Sequence, residues 1–441
     1  MRSILPAVFA VAALLGSVMV AGPTITMALV VALWMLAITW RKPLVSAYLW
    51  WIAVAVVPTW IGFGVANSQF VFGSALALVL VPGVMAASGT RVKINALDWA
   101  MFALVALMVF AFLTGGSRGL AADSVFQWAL PYVLLRLISL RAAPEALARM
   151  ILGVGLACAA WAIIEFVFGL HVFETLQLPG SLPNLQAVWQ SIQMRAGVAR
   201  SEASFGTSIA LSGFLAIAIP YSLQLRLPWL LLSLAVLGGG MVCTFARTGA
   251  LAAAVIVGLT LILRAQRYRI PLALAFISAV IAVGPVITGQ NVDSATANDF
   301  ASSNGYRDYV FSTAVPQSAW FGPANLQFGA YVSVDNAYLR VALESGLVPA
   351  LALLAVFGIA LLQYLRHRQG PALAASIAMG MSLYVVALIT QWQMFIFAVL
   401  GIASTEIQRA REERTDTPQI RREIVRPHST RQILAPRKTN S

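Results

Sequence analysis

Charge is what this 441-residue chain has least of: 10% of its residues are Asp, Glu, Lys or Arg, against 60% that are hydrophobic. Soluble domains carry roughly 25% charged residues, so a water-facing globule of this size is excluded and lipid is the expected solvent. Cysteine is nearly absent too. Cys158 and Cys243 both fall inside apolar runs, which excludes a disulfide framework and leaves them as packing residues. No metal-ligand cluster stands out, so neither a metal nor another cofactor is expected. The apolar runs never pause long enough to build a second core, which predicts one bundle plus a tail.

The net charge of +13 could suggest nucleic acid, but position decides its meaning, because most Lys and Arg lie between apolar runs or in the tail. No nucleic-acid partner is expected. Apolar runs of about 16–20 residues suffice to cross about 30 Å of hydrocarbon as helix. About fourteen can be traced, and an all-α polytopic membrane protein of about 12–14 spans is predicted. They begin near Ile4, Thr24, Ser46, Phe70, Ala96, Val125, Ile151, Phe205, Pro228, Gly249, Ile270, Leu347, Pro371 and Gln391. The run after Arg2 lacks a small-residue cleavage site and reads as the first span, not a signal peptide.

With the N-terminus in the cytoplasm, Arg41, Lys42, Arg91, Lys93, Arg136, Arg141, Arg149, Arg226, Arg264, Arg267, Arg269, Arg366 and Arg368 fall on or toward the inner side. The positive-inside rule favours that orientation and a cytoplasmic C-terminus. Arg118, Arg195, Arg200, Arg247, Arg307 and Arg340 then face outward. The bundle covers residues 1–404, with two long outward loops at about 170–204 and 289–346. Residues 405–441, with nine basic and five acidic side chains, read as a disordered cytoplasmic tail drawn to anionic lipid.

Four stretches carry the chemistry. In Thr244-Phe-Ala-Arg-Thr-Gly249, Arg247 interrupts two apolar spans. It is either a snorkelling interfacial residue or half of an anion site, with the hydroxyls of Thr244 and Thr248 and the amides of the following helix converging on phosphate. Arg195-Ala-Gly-Val-Ala-Arg-Ser-Glu-Ala-Ser-Phe-Gly206 brings Arg200 and Glu202 to the membrane edge, as an ion pair or as ligands. Asn304-Gly-Tyr-Arg-Asp308 offers Arg307, a further cation or a solvated loop residue. In Val334-Asp-Asn-Ala-Tyr-Leu-Arg-Val-Ala-Leu-Glu-Ser-Gly346, Asp335 is either a helix N-cap or a reactive carboxylate, and Arg340 can pair with Glu344 four residues on. Glu165, near the outer end of a span, is expected to pair with one of the outward arginines, and His171 reads as an ordinary loop residue.

Taken in order, these stretches resemble the O-antigen ligase and polymerase superfamily of bacterial membrane glycosyltransferases, over about residues 151–400. Arg200, the Arg247-Thr248-Gly249 turn, Asp335-Asn336 with Tyr338-Leu339, and Glu344-Ser345-Gly346-Leu347 match the family pattern. The resemblance implies transfer or polymerisation of a glycan, without a metal, from a polyprenyl-diphosphate-linked donor to a sugar hydroxyl of an acceptor glycan or glycolipid. The reaction would lie at the outer face of the bacterial inner membrane. Arg200 and Arg247 would stabilise charge growing on the departing diphosphate. Arg307, Glu202, Asn336, Tyr338 and Thr248 would help hold the substrates. Asp335 occupies the position where the ligase branch carries a His. With a reference pKa of about 3.9, a carboxylate is a weaker base than imidazole, so Asp335 would act as base or orient the acceptor. The rival reading is a transporter or flippase of a lipid-linked or anionic substrate; a non-catalytic assembly factor is a third.

Overall fold

The computed structural model describes residues 31–65, 68–89, 91–176, 186–187, 189–195, 198–264, 312, 315–324, 334–367 and 370–424. The spans expected near Ile4 and Ile270, and Arg307 with most of the second loop, lie outside the described residues.

The described chain is mostly helical. After a helical stretch at residues 31–39 come α1 (Pro43–Val56), a hairpin of β1 (Gly62–Val65) and β2 (Ser68–Val71), α2 (Phe72–Met85), α3 (Ala96–Leu113) and α4 (Arg118–Asp123). A π-helical turn, Ser124–Ala129, joins α4 to α5 (Leu130–Ser139), and α6 (Pro144–Phe168) follows. Beyond a two-residue ladder, β3 (Met194–Arg195) with β4 (Val198–Ala199), lie α7 (Ser208–Ser222), α8 (Leu227–Cys243) and α9 (Arg247–Arg264). The last four helices are α10 (Ala337–Ser345), α11 (Leu347–His367), α12 (Pro371–Ser382) and α13 (Trp392–Ile424).

Local chemistry sets many of these ends. Pro occupies the first turn of α1, α6, α8 and α12, where its missing N–H costs nothing. Asn95 and Asp98 form a reciprocal capping box that starts α3. Gly169, at φ 64°, adopts the left-handed conformation that stops α6.

Among the described residues three helices, α3, α6 and the Leu347–Arg366 part of α11, are long and apolar enough to cross a membrane. In their most apolar stretches only 28%, 39% and 44% of residues are buried, so most of each faces outward. Phe102, Leu113, Phe168, Leu351 and Leu354 are among the large apolar side chains left exposed, a surface water tolerates poorly. The centre is α7, buried along nearly its whole length, with the start of α13. Trp50, Trp51, Phe205, Phe214 and Phe395 form an aromatic cluster there. Small residues bring the helices close: a Cβ on Gly155 would stand 2.5 Å from Ala218 Cβ, and one on Gly240 2.8 Å from Ala159 Cα.

The bundle has two chemically distinct ends. At the basic end, Arg136 in α5 is 3% exposed and bonds to Asp98 Oδ1 and Oδ2 (both 3.3 Å), Thr405 Oγ1 (3.0 Å), Gln408 Oε1 (2.9 Å) and the Lys93 carbonyl (3.1 Å). Arg141 reaches the Ala87 carbonyl, and Arg409 those of Ser139 and Ala142. The expected boundaries need correcting in three places. The span expected near Val125 belongs to a helical run starting at Arg118, α6 begins at Pro144 instead of Ile151, and α13 continues to Ile424. The tail is therefore not disordered from residue 405: Thr405, Ile407 and Gln408 are buried. Residues 425–441 lie outside the described part.

Candidate functional site

The opposite end is built from turns. Between α6 and α7, residues 200–204 cross the bundle with their backbone pinned on both sides. Arg200 Nε donates to the Thr244 carbonyl at 2.9 Å, and Ser201 N to the Cys243 carbonyl at 3.1 Å. Ser201 Oγ donates to the Ala162 carbonyl, and the Ala203 amide to Glu165 Oε2 at 2.7 Å. Two stretches more than forty residues apart in sequence thus meet directly: the Arg200 segment lies on the turn that opens α9.

Arg247 is the first residue of α9 and Thr248, half-buried, the second. The Arg247 side chain lies outside the described residues. The N-terminus of α9, whose first amides have no acceptor within the helix, and the Arg200 guanidinium are held at one junction, an arrangement suited to an anion. Thr244 does not join it as expected: its hydroxyl donates to the Met241 carbonyl (2.6 Å) and accepts from Ala246 N (3.2 Å), shaping the turn. Gly249 is required for packing, since a Cβ there would stand 2.7 Å from the Ser212 Cβ and carbonyl carbon.

Glu202 is 6% exposed, and its Oε1 accepts from Gln193 N at 3.2 Å. Burial, the largest influence, pushes its carboxyl up to about 8; the Gln193 amide opposes the rise, Glu165 adds to it and Arg200 opposes it. Beside it, Glu165 bonds to His171 Nδ1 at 2.8 Å. That corrects two expectations: the described partner of Glu165 is a histidine instead of an arginine, and His171 is no ordinary loop residue. The turn at Gly169 folds His171 back over the end of α6. The resulting Glu165, His171 and Glu202 cluster is the feature that sequence reasoning missed. Its signal was a carboxylate and an imidazole on either side of a helix-ending glycine. Among the described residues no group of three or more His, Cys, Asp or Glu is disposed to hold a metal ion.

The Asp335 stretch is anchored elsewhere at this end. Asn336, not Asp335, is the N-cap of α10, its Oδ1 accepting from Leu339 N at 2.9 Å. Ala337 N donates to the Leu383 and Val386 carbonyls in the irregular segment between α12 and α13. Tyr338 OH donates to the Gly380 carbonyl at 2.7 Å, so Asn336 and Tyr338, both expected to help hold substrate, each also make a structural contact. Asp335 stands exposed just before the cap. Arg340 and Glu344 pair at 2.8 Å, as their spacing predicted. A cavity of about 560 Å³ runs from Asn336, Tyr338 and Tyr384 along α11 past Leu354 to Leu361, with almost wholly apolar walls.

Comparison with known proteins adds no assignment: no family model, no curated protein and no solved structure matches the chain.

Proposed function

We propose that the chain is a polytopic bacterial inner-membrane glycosyltransferase, of about 12–14 spans with both termini in the cytoplasm. It transfers or polymerises a glycan from a polyprenyl-diphosphate donor onto an acceptor sugar hydroxyl at the outer face, in cell-surface polysaccharide assembly. The observation that carries this reading is the junction of Arg200 with the turn that opens α9 at Arg247. In the reaction the acceptor oxygen bonds to the anomeric carbon while the bond from that carbon to the diphosphate breaks. The electron pair leaves with the diphosphate, and the acceptor proton passes to a base. Guanidinium groups and helix-start amides oppose charge that grows during this step, so they favour the transition state over the bound donor. Asp335, exposed ahead of α10, is the candidate to receive the proton or orient the hydroxyl. The apolar cavity beside it suits the polyprenyl chain.

One observation favours the transporter reading: α12 stops after 12 residues, and an irregular stretch with largely buried residues precedes α13, the kind of interrupted helix that transporters use. The two readings part on bond cleavage. Purified protein incubated with a polyprenyl-diphosphate glycan and an acceptor should form product, and Arg200→Ala, Arg247→Ala or Asp335→Ala should reduce it at least tenfold. Product unaffected by the arginine changes would sink the assigned site. Movement of the intact lipid across vesicles without cleavage would favour transport.

A further inference from the structure

Two short segments, both tied to Ser204, carry buried polar atoms with no hydrogen-bond partner among the described residues: Thr59 Oγ1 and Trp60 Nε1 in one, Thr390 Oγ1, Gln391 Oε1 and Trp392 Nε1 in the other; Trp51 Nε1, Tyr221 OH and Ser345 Oγ share that condition elsewhere. Thr59, Trp60, Gln391 and Trp392 are at most 4% exposed. Orphans of this kind are rare in folded proteins because each keeps its full desolvation cost. Five in two short segments call for a common explanation.

Ser204 joins the two segments. Its carbonyl accepts from Gln391 Nε2 at 2.6 Å and from Trp189 Nε1 at 3.0 Å. Its hydroxyl donates to the Ala55 carbonyl, four residues before Thr59. Ser204 is also four residues from Arg200, so the residue that links the two segments lies within about 14 Å of chain from the guanidinium anchor. Trp392 packs on Gly213, where a Cβ would stand 2.5 Å from its ring, next to the aromatic cluster of Trp51, Phe205, Phe214 and Phe395. Three residues on the converging turns, Ala203, Phe245 and Thr390, hold φ of 47°, 48° and 49°. Left-handed backbone at non-glycine residues costs energy and gathers at places where a ligand is handled.

The chemistry of the set narrows the ligand. Two indole N–H groups only donate, the free amide oxygen of Gln391 only accepts, and two threonine hydroxyls do both. A phosphate offers acceptors and leaves the amide oxygen unmet; a lipid tail meets none. A sugar ring has hydroxyls that donate and accept, and C–H faces that pack on aromatic rings. We infer that Thr59, Trp60, Thr390, Gln391 and Trp392 form the subsite for the donor sugar, continuing inward from the arginine junction. This rests on the glycosyltransferase reading and adds which residues hold the sugar.

The test measures binding of four lipids to the full-length protein in nanodiscs: bare polyprenyl diphosphate, and polyprenyl diphosphate carrying glucose, galactose or N-acetylglucosamine. At least one sugar-bearing lipid should bind wild type about tenfold or more tighter than the bare one. The combined Thr59→Val and Trp60→Phe variant, and separately Thr390→Val, should erase most of that difference and leave the affinity for bare diphosphate in place, as two lost hydrogen bonds allow. Because the atoms removed have no partner among the described residues, the unliganded variants should melt no lower than wild type. The subsite is overturned if all four lipids bind wild type equally, if the variants weaken bare and sugar-bearing lipids alike, or if they melt several degrees lower. Binding of none of the four lipids would instead overturn the glycosyltransferase reading itself.

Discussion

Replacing Gly249 with alanine should disable the arginine junction without touching a charged group. The added Cβ would enter the van der Waals sphere of Ser212 Oγ and stand 2.7 Å from Ser212 Cβ and carbonyl carbon. Carbon atoms pack at about 3.5–4.0 Å, so α9 must recede from α7 by about 1 Å. Arg200 Nε now lies 2.9 Å from the Thr244 carbonyl, three residues before α9. A retreat of 1 Å that carries the turn with it takes that contact past hydrogen-bonding reach. Overpacking of this kind costs about 1–3 kcal/mol, against which the better helix propensity of alanine returns at most about 1 kcal/mol. The loss of turnover should be larger than the loss of stability implies, because a 1 Å misplacement of positioning groups costs on the order of a hundredfold. Thermal unfolding in detergent and the rate of the proposed glycan transfer measure the two effects. Ser212→Gly in the same chain removes the Cβ and hydroxyl but leaves the 2.7 Å carbonyl carbon, so it should restore stability only in part. Gly249→Ala protein with wild-type melting and wild-type turnover would refute the close approach and its link to the junction.

Three further outcomes follow from the described contacts. Arg136→Met strips Asp98 of its cation in a nearly closed site and should cost about 3–5 kcal/mol, while Asp98→Asn in the same chain should add much less than it costs alone; unfolding of the four proteins tests this coupling. The Glu202 carboxyl ionises near 8 in the fold against 4.5 ordinarily, so its contribution to stability is full below about 4.5 and lost as pH rises through 8, at about 1.4 kcal/mol per unit crossed. Melting temperature should decline across that window and Glu202→Gln should flatten the decline; identical profiles would contradict it. Asn336→Ala removes the cap of α10 and should cost about 1 kcal/mol, more than Asp335→Ala, and the reverse order would return the capping role to Asp335.

Where a helix was a continuous apolar run, its start was legible within a few residues, as at Ala96, Leu347 and Pro371. The misplaced boundaries share a cause. Glu145 and Arg149 dilute the first turns of α6, so an apolar count begins at Ile151, although Pro144 with an acidic residue in the first turn marks a helix start. The same charge bias hid the extension of α13, where Thr405 and Gln408 are buried because Arg136 gives their polar atoms partners. Asp335 and Asn336 are equally good caps, and only the backbone's choice of Leu339 N as donor separates them. The Glu165 and His171 pair needed the reversal at Gly169, which residue order suggests only weakly.

Among the described residues most of the unpartnered buried polar atoms lie away from the basic end, where Tyr221 OH beside Glu406 is the exception. At the basic end the Arg136 network meets its donors across three helices, and Glu406 caps α12 through the Ala372 and Leu373 amides. At the turn-built end lie three of the four left-handed non-glycine residues among those described, with Arg41 the exception. The orphans at Thr59, Trp60, Thr390 and Gln391 lie there too. Selection for folding alone would remove such defects, since replacing an unpartnered hydroxyl with a methyl group is neutral or stabilising. Their concentration around Ser204, one step from Arg200, is what a chain looks like when one end is built to hold the bundle and the other to hold a ligand. Stability should therefore follow substitutions at the Arg136 end, and ligand binding those around Ser204. Reversed sensitivities would remove the structural basis for placing the proposed reaction at the turn-built end.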